Sequence, residues 1–175
     1  MIDFTSIGYL KNGNLKQQRV YDVLNAHSVF SNLAKFNPIL VGTIPINIDT
    51  EKSDLDIICC WANKSEFICT LKSSFCNEVD FSISEKIKNN NEVVVAKFML
   101  EEFPVEVYGQ NLPTTEQNGF RHMVIEHKLL LERGESFRLQ IVALKKQGYK
   151  TEPAFAKLLG LNSDNPFDEL LKLNL

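Results

Sequence analysis

The chain has 175 residues, 44% of them apolar, and a formal net charge of −3. That length and apolar content suit one domain, or one domain with a helical extension, around an ample core. The acidic balance excludes a general grip on long nucleic acid, which needs a basic surface to neutralise phosphates, and the lack of any apolar run of about 18 residues excludes a membrane-spanning helix.

Residues 1–14 read as a loosely patterned lead-in, with turns marked by Gly8, Asn12, Gly13 and Asn14. Met1-Ile2-Asp3-Phe4 has neither basic residues nor a signal-length apolar run, so a cytoplasmic location is expected. Leu15, Val20, Val23 and Leu24 make an apolar stripe that predicts a helix from Leu15 to about Ala26. Leu33 to Phe36 predicts a further helical turn.

Ile39-Leu40-Val41, between Pro38 and Gly42, reads as a short buried strand. A loop from Ile44 to Ser53 follows. Asp54-Leu55-Asp56-Ile57-Ile58 then alternates polar and apolar, which predicts a second strand continuing to Cys60. On a strand, positions i and i+2 share a face, so Asp54 and Asp56 are expected side by side, with alpha carbons roughly 6.5 Å apart at about 3.3 Å rise per residue. Leu55 and Ile57 point the other way, into a core.

Asn63 or Ser65 caps a predicted helix through about Phe75, whose stripe is Phe67, Ile68, Leu71 and Phe75. It joins two strands, so a crossover is expected. Val79 to Ile83 alternates as a strand, Asn89-Asn90-Asn91 reads as a hairpin turn, and Val93 to Met99 returns. Phe103 to Tyr108 predicts a further strand, ended by Gly109. From Thr114 the chain reads as helical: Thr114 or Thr115 caps a helix to Glu132, stopped at Gly134. Glu135 to Gln147, Thr151 to Leu159 and a last helix opened by Asn165-Pro166 follow. The expectation is an α/β (α+β) core, a mixed sheet flanked by helices over residues 1–112. A C-terminal helical lobe over 113–175 packs on it as one compact unit.

The cysteines are Cys59, Cys60, Cys69 and Cys76, without a Cys-x-x-Cys pair, so they read as buried free thiols rather than structural zinc ligands. Two like charges on one strand face repel, and each is costly to desolvate alone. A divalent cation is the simplest partner, and Mg²⁺ favours one or two carboxylates with substrate phosphates. Gly42 lets a backbone approach closely, and the N–H groups there, with the Thr43 hydroxyl, suit a phosphate. A third carboxylate has two candidates, Glu106 between Val105 and Val107, and Asp80 between Val79 and Phe81, and the residue pattern leaves them level. Gln117 and Arg121 share a helix face, as do His122 and Glu126. Arg121 suits a phosphate, and His122 a proton or a base. His122 and His127 are five positions apart, wrong for paired ligands on one helix, so zinc is rejected there too. Gln110, Lys97 and a stacking Trp61 are weaker candidates.

Gly42-Thr43, the loop, and Asp54-Leu55-Asp56 resemble the signature of the DNA polymerase beta-like nucleotidyltransferase superfamily. That signature is Gly with a small residue, a loop of about ten residues, and Asp-x-Asp or Asp-x-Glu on a strand. Segments Val41–Ile46, Ser53–Ile57, Pro104–Gln110 and Arg121–His127 resemble an uncharacterised bacterial family within it. The resemblance implies Asp54, Asp56 and Glu106 as catalytic metal ligands, and favours Glu106 over Asp80. It implies Gly42, Thr43, Ser53, Arg121 and His122 as nucleotide contacts, with Mg²⁺, at one or two sites, as cofactor. A nucleotidyl group would pass from a nucleoside triphosphate to an unknown acceptor. The chain departs from the signature in having Thr43 for the usual Gly or Ser, and Pro45-Ile46-Asn47-Ile48 where small members often carry an Arg. The alternative is an inactive member of the fold, a binding or regulatory protein, including a toxin–antitoxin component.

Overall fold

The computed structural model describes residues 2–88, 90–161 and 165–173. Five strands, β1 (Ile39–Val41), β2 (Leu55–Cys60), β3 (Val79–Lys88), β4 (Asn91–Leu100) and β5 (Phe103–Gln110), form one mixed sheet in the order β1-β2-β5-β4-β3. Only the β2–β5 pair is parallel; the other three are antiparallel. Helices α1 (Leu15–Ala26), α2 (Val29–Leu33) and α3 (Lys64–Phe75) lie in the first half of the chain, with α3 between β2 and β3. After the sheet come α4 (Asn118–Lys146), α5 (Thr151–Leu159) and α6 (Pro166–Leu171).

Strand alternation divides the apolar residues between two cores. Leu55, Ile57 and Cys59 of β2, Val105 and Val107 of β5, and Val94, Ala96 and Phe98 of β4 face one side, packed with Val20, Val23, Leu24, Phe67, Leu71 and Phe75 of α1 and α3. Ile39 and Val41 of β1 and Ile58 of β2 face the other side, against Met123, Leu129, Phe155 and Leu170 of α4 to α6. Asp56, Glu106 and Lys97 are out of phase with the first core, so they belong to the second face. The helices there stack on β1 and β2, and a cleft is left between them and the centre of the sheet.

Several local expectations change. The lead-in is not loose: Phe4, Ile7 and Leu10 are buried, and Gly8–Asn12 is a 3₁₀ turn. Asn14 and Gln17 form a reciprocal capping box at the start of α1. Asp54 stands one position ahead of β2, and β3 is an exposed edge strand extending to Lys88. Asn89 of the expected hairpin turn lies outside the described residues. Gly109 lies inside β5 rather than ending it, since it and Gln110 still pair with β2, and it is glycine because a Cβ there would meet Phe67 Cε1 at 2.2 Å. Thr114–Glu116 is a single 3₁₀ turn and Gln117 precedes α4. The break expected at Gly134 is present: its φ of 78° and ψ of −171° are non-helical, so α4 is two helical segments that meet at a kink there. The crossover also differs: after α3 the chain reaches the far edge at β3, and the parallel partner of β2 is β5. Of the cysteines Cys59 is buried, Cys60 is half-buried, and Cys69 and Cys76 are exposed, all as free thiols. Among the described residues no helix is long and apolar enough to cross a membrane.

Candidate functional site

One row of residues crosses the sheet. Val41 pairs with Asp56, Asp56 with Glu106, and Glu106 with Lys97. Neighbouring strands stand about 4.8 Å apart, so the register alone sets Asp56 and Glu106 side by side on the second face. Asp80, the other candidate for a third carboxylate, sits at a bulge of β3 with φ 58°, and β4 separates that strand from β5. Register therefore brings Glu106, and not Asp80, beside Asp56.

Asp56 is half-buried, and burial, then the charge of Asp54, then that of Glu106, push its carboxyl from 3.8 up to about 7. Glu106 accepts an ion pair from the exposed Lys97, Nζ to Oε2 2.8 Å. Asp54 is exposed. Gly42 is required on two counts: its φ is +82°, and a Cβ there would stand 2.7 Å from Asp56 Oδ2. The glycine of the signature thus makes room for the Asp56 carboxylate.

The loop after Gly42 is tightly held. Ile44, Ile46 and Ile48 are buried. Gln17 Nε2 donates to the Ile44 and Pro45 carbonyls at 2.8 and 3.2 Å, and Arg138 Nη1 to the Asn47 carbonyl at 2.8 Å. Ser53 Oγ accepts from Thr50 N–H at 2.9 Å and lies 3.1 Å from Thr43 Oγ1. Ser53 thus fastens the loop, whereas Gly42 and Thr43 line the cleft.

The cleft measures about 450 Å³. Gly42, Asp56, Glu106 and Tyr108 form its sheet side, and His122 and Glu126 of α4 with Glu152 of α5 form its helix side. One potential ligand atom from each of His122, Glu126 and Glu152 lies within 4.8 Å of the others. Among the described residues that is the one set of three or more metal-ligating side chains this close; Asp54, Asp56 and Glu106 do not close to the same spacing. His122 is 7% exposed and Glu126 3%, and His122 Nδ1 and Glu126 Oε1 have no hydrogen-bond partner. Burial lowers the proton affinity of His122 and raises that of Glu126 well above the carboxylate range, with Glu152 adding to the latter.

The remaining candidates divide. Gln110 lines the cleft. Arg121 is exposed and not part of the lining. Trp61 is buried in the first core, not free to stack on a base. Gln117 does not share a helix face with Arg121, since it precedes α4 and is spent on structure: Nε2 donates to the Cys59 and Leu112 carbonyls, each at 2.9 Å. His127 packs edge-on to Phe4 and does not converge with His122. Two residues near the cleft carry no sequence signal. Glu152 reads as an ordinary first-turn acid of α5, and only the packing of α5 on α4 brings it to His122. Lys145, half-buried near the end of α4, has Nζ 3.2 Å from Thr151 Oγ1. Burial lowers its proton affinity, while Glu126, Asp49, Glu152 and Asp54 act in the opposite sense. No motif announces either residue.

Residues 22–173 match a family described as a domain of unknown function, DUF4269, and the chain belongs to that family. No curated protein matches it. Its fold is that of the polymerase beta-like nucleotidyltransferases. It is similar to the Cid1 poly(U) polymerase with Mg 3′-dATP bound, at 9% identity and TM-score 0.56, over 90% of this chain and 48% of that one. It is also similar to a chain of the GLD-2/RNP-8 complex, at 14% identity and TM-score 0.52, over 81% and 56%. A cytoplasmic RNA terminal U-transferase matches at 10% identity and TM-score 0.51, over 86% and 42%. The chain spans about half the length of these proteins.

Proposed function

We propose that the chain is a Mg²⁺-dependent nucleotidyltransferase that moves a nucleotidyl group from a nucleoside triphosphate to an acceptor. The observation that carries this reading is the cross-sheet row in which Gly42 makes room for Asp56 and register sets Glu106 beside it. The residues fit a hard cation: Asp56 is a half-buried carboxyl crowded by two others, and a divalent ion would offset the repulsion that helps raise its proton affinity. Asp54 and Asp56 would hold the ion. When bound, Mg²⁺ neutralises charge on the phosphates and fixes the attacking and leaving oxygens in line. Gly42 and Thr43 offer backbone N–H groups to a phosphate, and Lys145 is a cation close enough to act on Asp54 and Asp56. Glu106, freed from Lys97, would take the proton of the acceptor hydroxyl or complete the ion's ligands.

The Glu106–Lys97 pair also favours a second reading, binding without transfer, because it occupies the third carboxylate. Thermal unfolding with each nucleoside triphosphate, with and without Mg²⁺, tests both. A nucleotide at 100 times its Kd adds about 2.7 kcal/mol to the folded state. A Mg²⁺-dependent rise, lost in the Asp54→Asn/Asp56→Asn double variant, is expected. Pyrophosphate release then separates transfer from binding, and no rise with any nucleotide contradicts both readings.

A further inference from the structure

We propose that His122, Glu126 and Glu152 form a second cation site, for a divalent transition metal, on the helix side of the cleft. The site stands on different residues from the Asp54–Asp56 pair and does not depend on nucleotidyl transfer. Three observations carry it. One potential ligand atom from each side chain already lies within 4.8 Å of the other two. Ligands that share one ion at about 2.0–2.2 Å stand roughly 3–4.4 Å apart, so a small closure completes the set. His122 and Glu126 are more than nine-tenths buried, line the cleft, and each carries a polar atom without a partner. Buried polar atoms in folded chains are nearly always satisfied, so this pair marks a missing partner. The donor set names the ion: one imidazole and two carboxylates suit Zn²⁺, Mn²⁺, Fe²⁺ or Co²⁺.

Lys145 is the cation nearest these carboxylates, close enough to act on Glu126 and Glu152. Phe167 of α6 packs edge-on to the His122 ring at 6.2 Å between centroids. Lys145 makes no ion pair within 4.0 Å among the described residues; its Nζ is 3.2 Å from the Thr151 hydroxyl. Two protein carboxylates and an open cleft would leave the ion free positions for water or a substrate oxygen.

The test is Co²⁺ binding to the full chain, read by calorimetry and by the visible absorption bands of ligated Co²⁺. One Co²⁺ is expected to remain bound in the Asp54→Asn/Asp56→Asn variant, where the sheet carboxylates no longer compete. The affinity should fall about tenfold or more in Glu152→Gln and in His122→Ala. Glu152 is half-buried at the start of α5, so its isosteric change keeps the fold even where His122→Ala does not. No Co²⁺ binding overturns the proposal. So does binding that Asp54→Asn/Asp56→Asn removes and Glu152→Gln leaves intact, which would place the ion on the sheet. Nucleotide failing to bind in the preceding experiment leaves this result unaffected.

Discussion

The cleft has two acidic sides that are built by different means. On the sheet side, Asp56 and Glu106 are neighbours through strand register, Glu106 is neutralised by Lys97, and Asp54 remains in solvent. On the helix side, His122 and Glu126 lie one turn apart on α4, Glu152 arrives from α5, and the two buried groups have atoms without partners. The sheet side spreads its charge toward water and an exposed lysine. The helix side holds His122 and Glu126 buried in the cleft wall, with Glu152 half-buried beside them. A carboxylate that keeps some solvent can stay ionised by itself, whereas buried groups are costly to charge without a partner.

The largest effect that would sharpen this contrast is expected at Asp56. Its folded-state carboxyl is raised from 3.8 to about 7, so the folded chain binds this proton more tightly than the unfolded chain. The ionised carboxylate therefore opposes folding. The penalty is absent below about pH 4, grows as pH rises, and is complete above about pH 7, reaching up to about 4 kcal/mol. Asp56→Asn should accordingly stabilise the chain at pH 8 and leave it nearly unchanged at pH 4, as read by urea unfolding. A gain that does not vary with pH would break the assignment.

Gly42→Ala should come next. The substitution puts a Cβ 2.7 Å from Asp56 Oδ2 at a φ of +82°, whereas Gly148, at φ +96°, has nothing within 4 Å. Gly148→Ala should lose about 1 kcal/mol from the backbone alone, and Gly42→Ala about 2–3 kcal/mol, the excess being the clash with the carboxylate. Equal losses in urea unfolding would show that Gly42 serves only the turn.

The sheet side was legible because its signals are local. A β-branched run, a glycine and period-two alternation place Gly42 and Asp56, and the superfamily resemblance picks Glu106 over Asp80. Residue pattern alone could not, because the β2–β5 pairing that joins Glu106 to Asp56 links residues distant in sequence, with α3, β3 and β4 between them. The helix side was half legible: the spacing of His122 and Glu126 was readable, but Glu152 depends on how α5 packs, which no spacing encodes. Gly109 looked like a strand end because its reason, the Phe67 ring, comes from a distant helix. Phe4, Ile7 and Leu10 are buried among turn residues that disguise them, and only Leu10 lies in the 3₁₀ turn.

The central claim is that Asp56 is a half-buried carboxyl kept for a hard cation. Calorimetry of Mg²⁺ binding at pH 7, in two buffers of different ionisation enthalpy, counts the protons released. A group at about 7 is half protonated there, so the wild type should release about half a proton per Mg²⁺. Asp56→Asn should release none. Binding without proton release, or release that persists in Asp56→Asn, would contradict the claim.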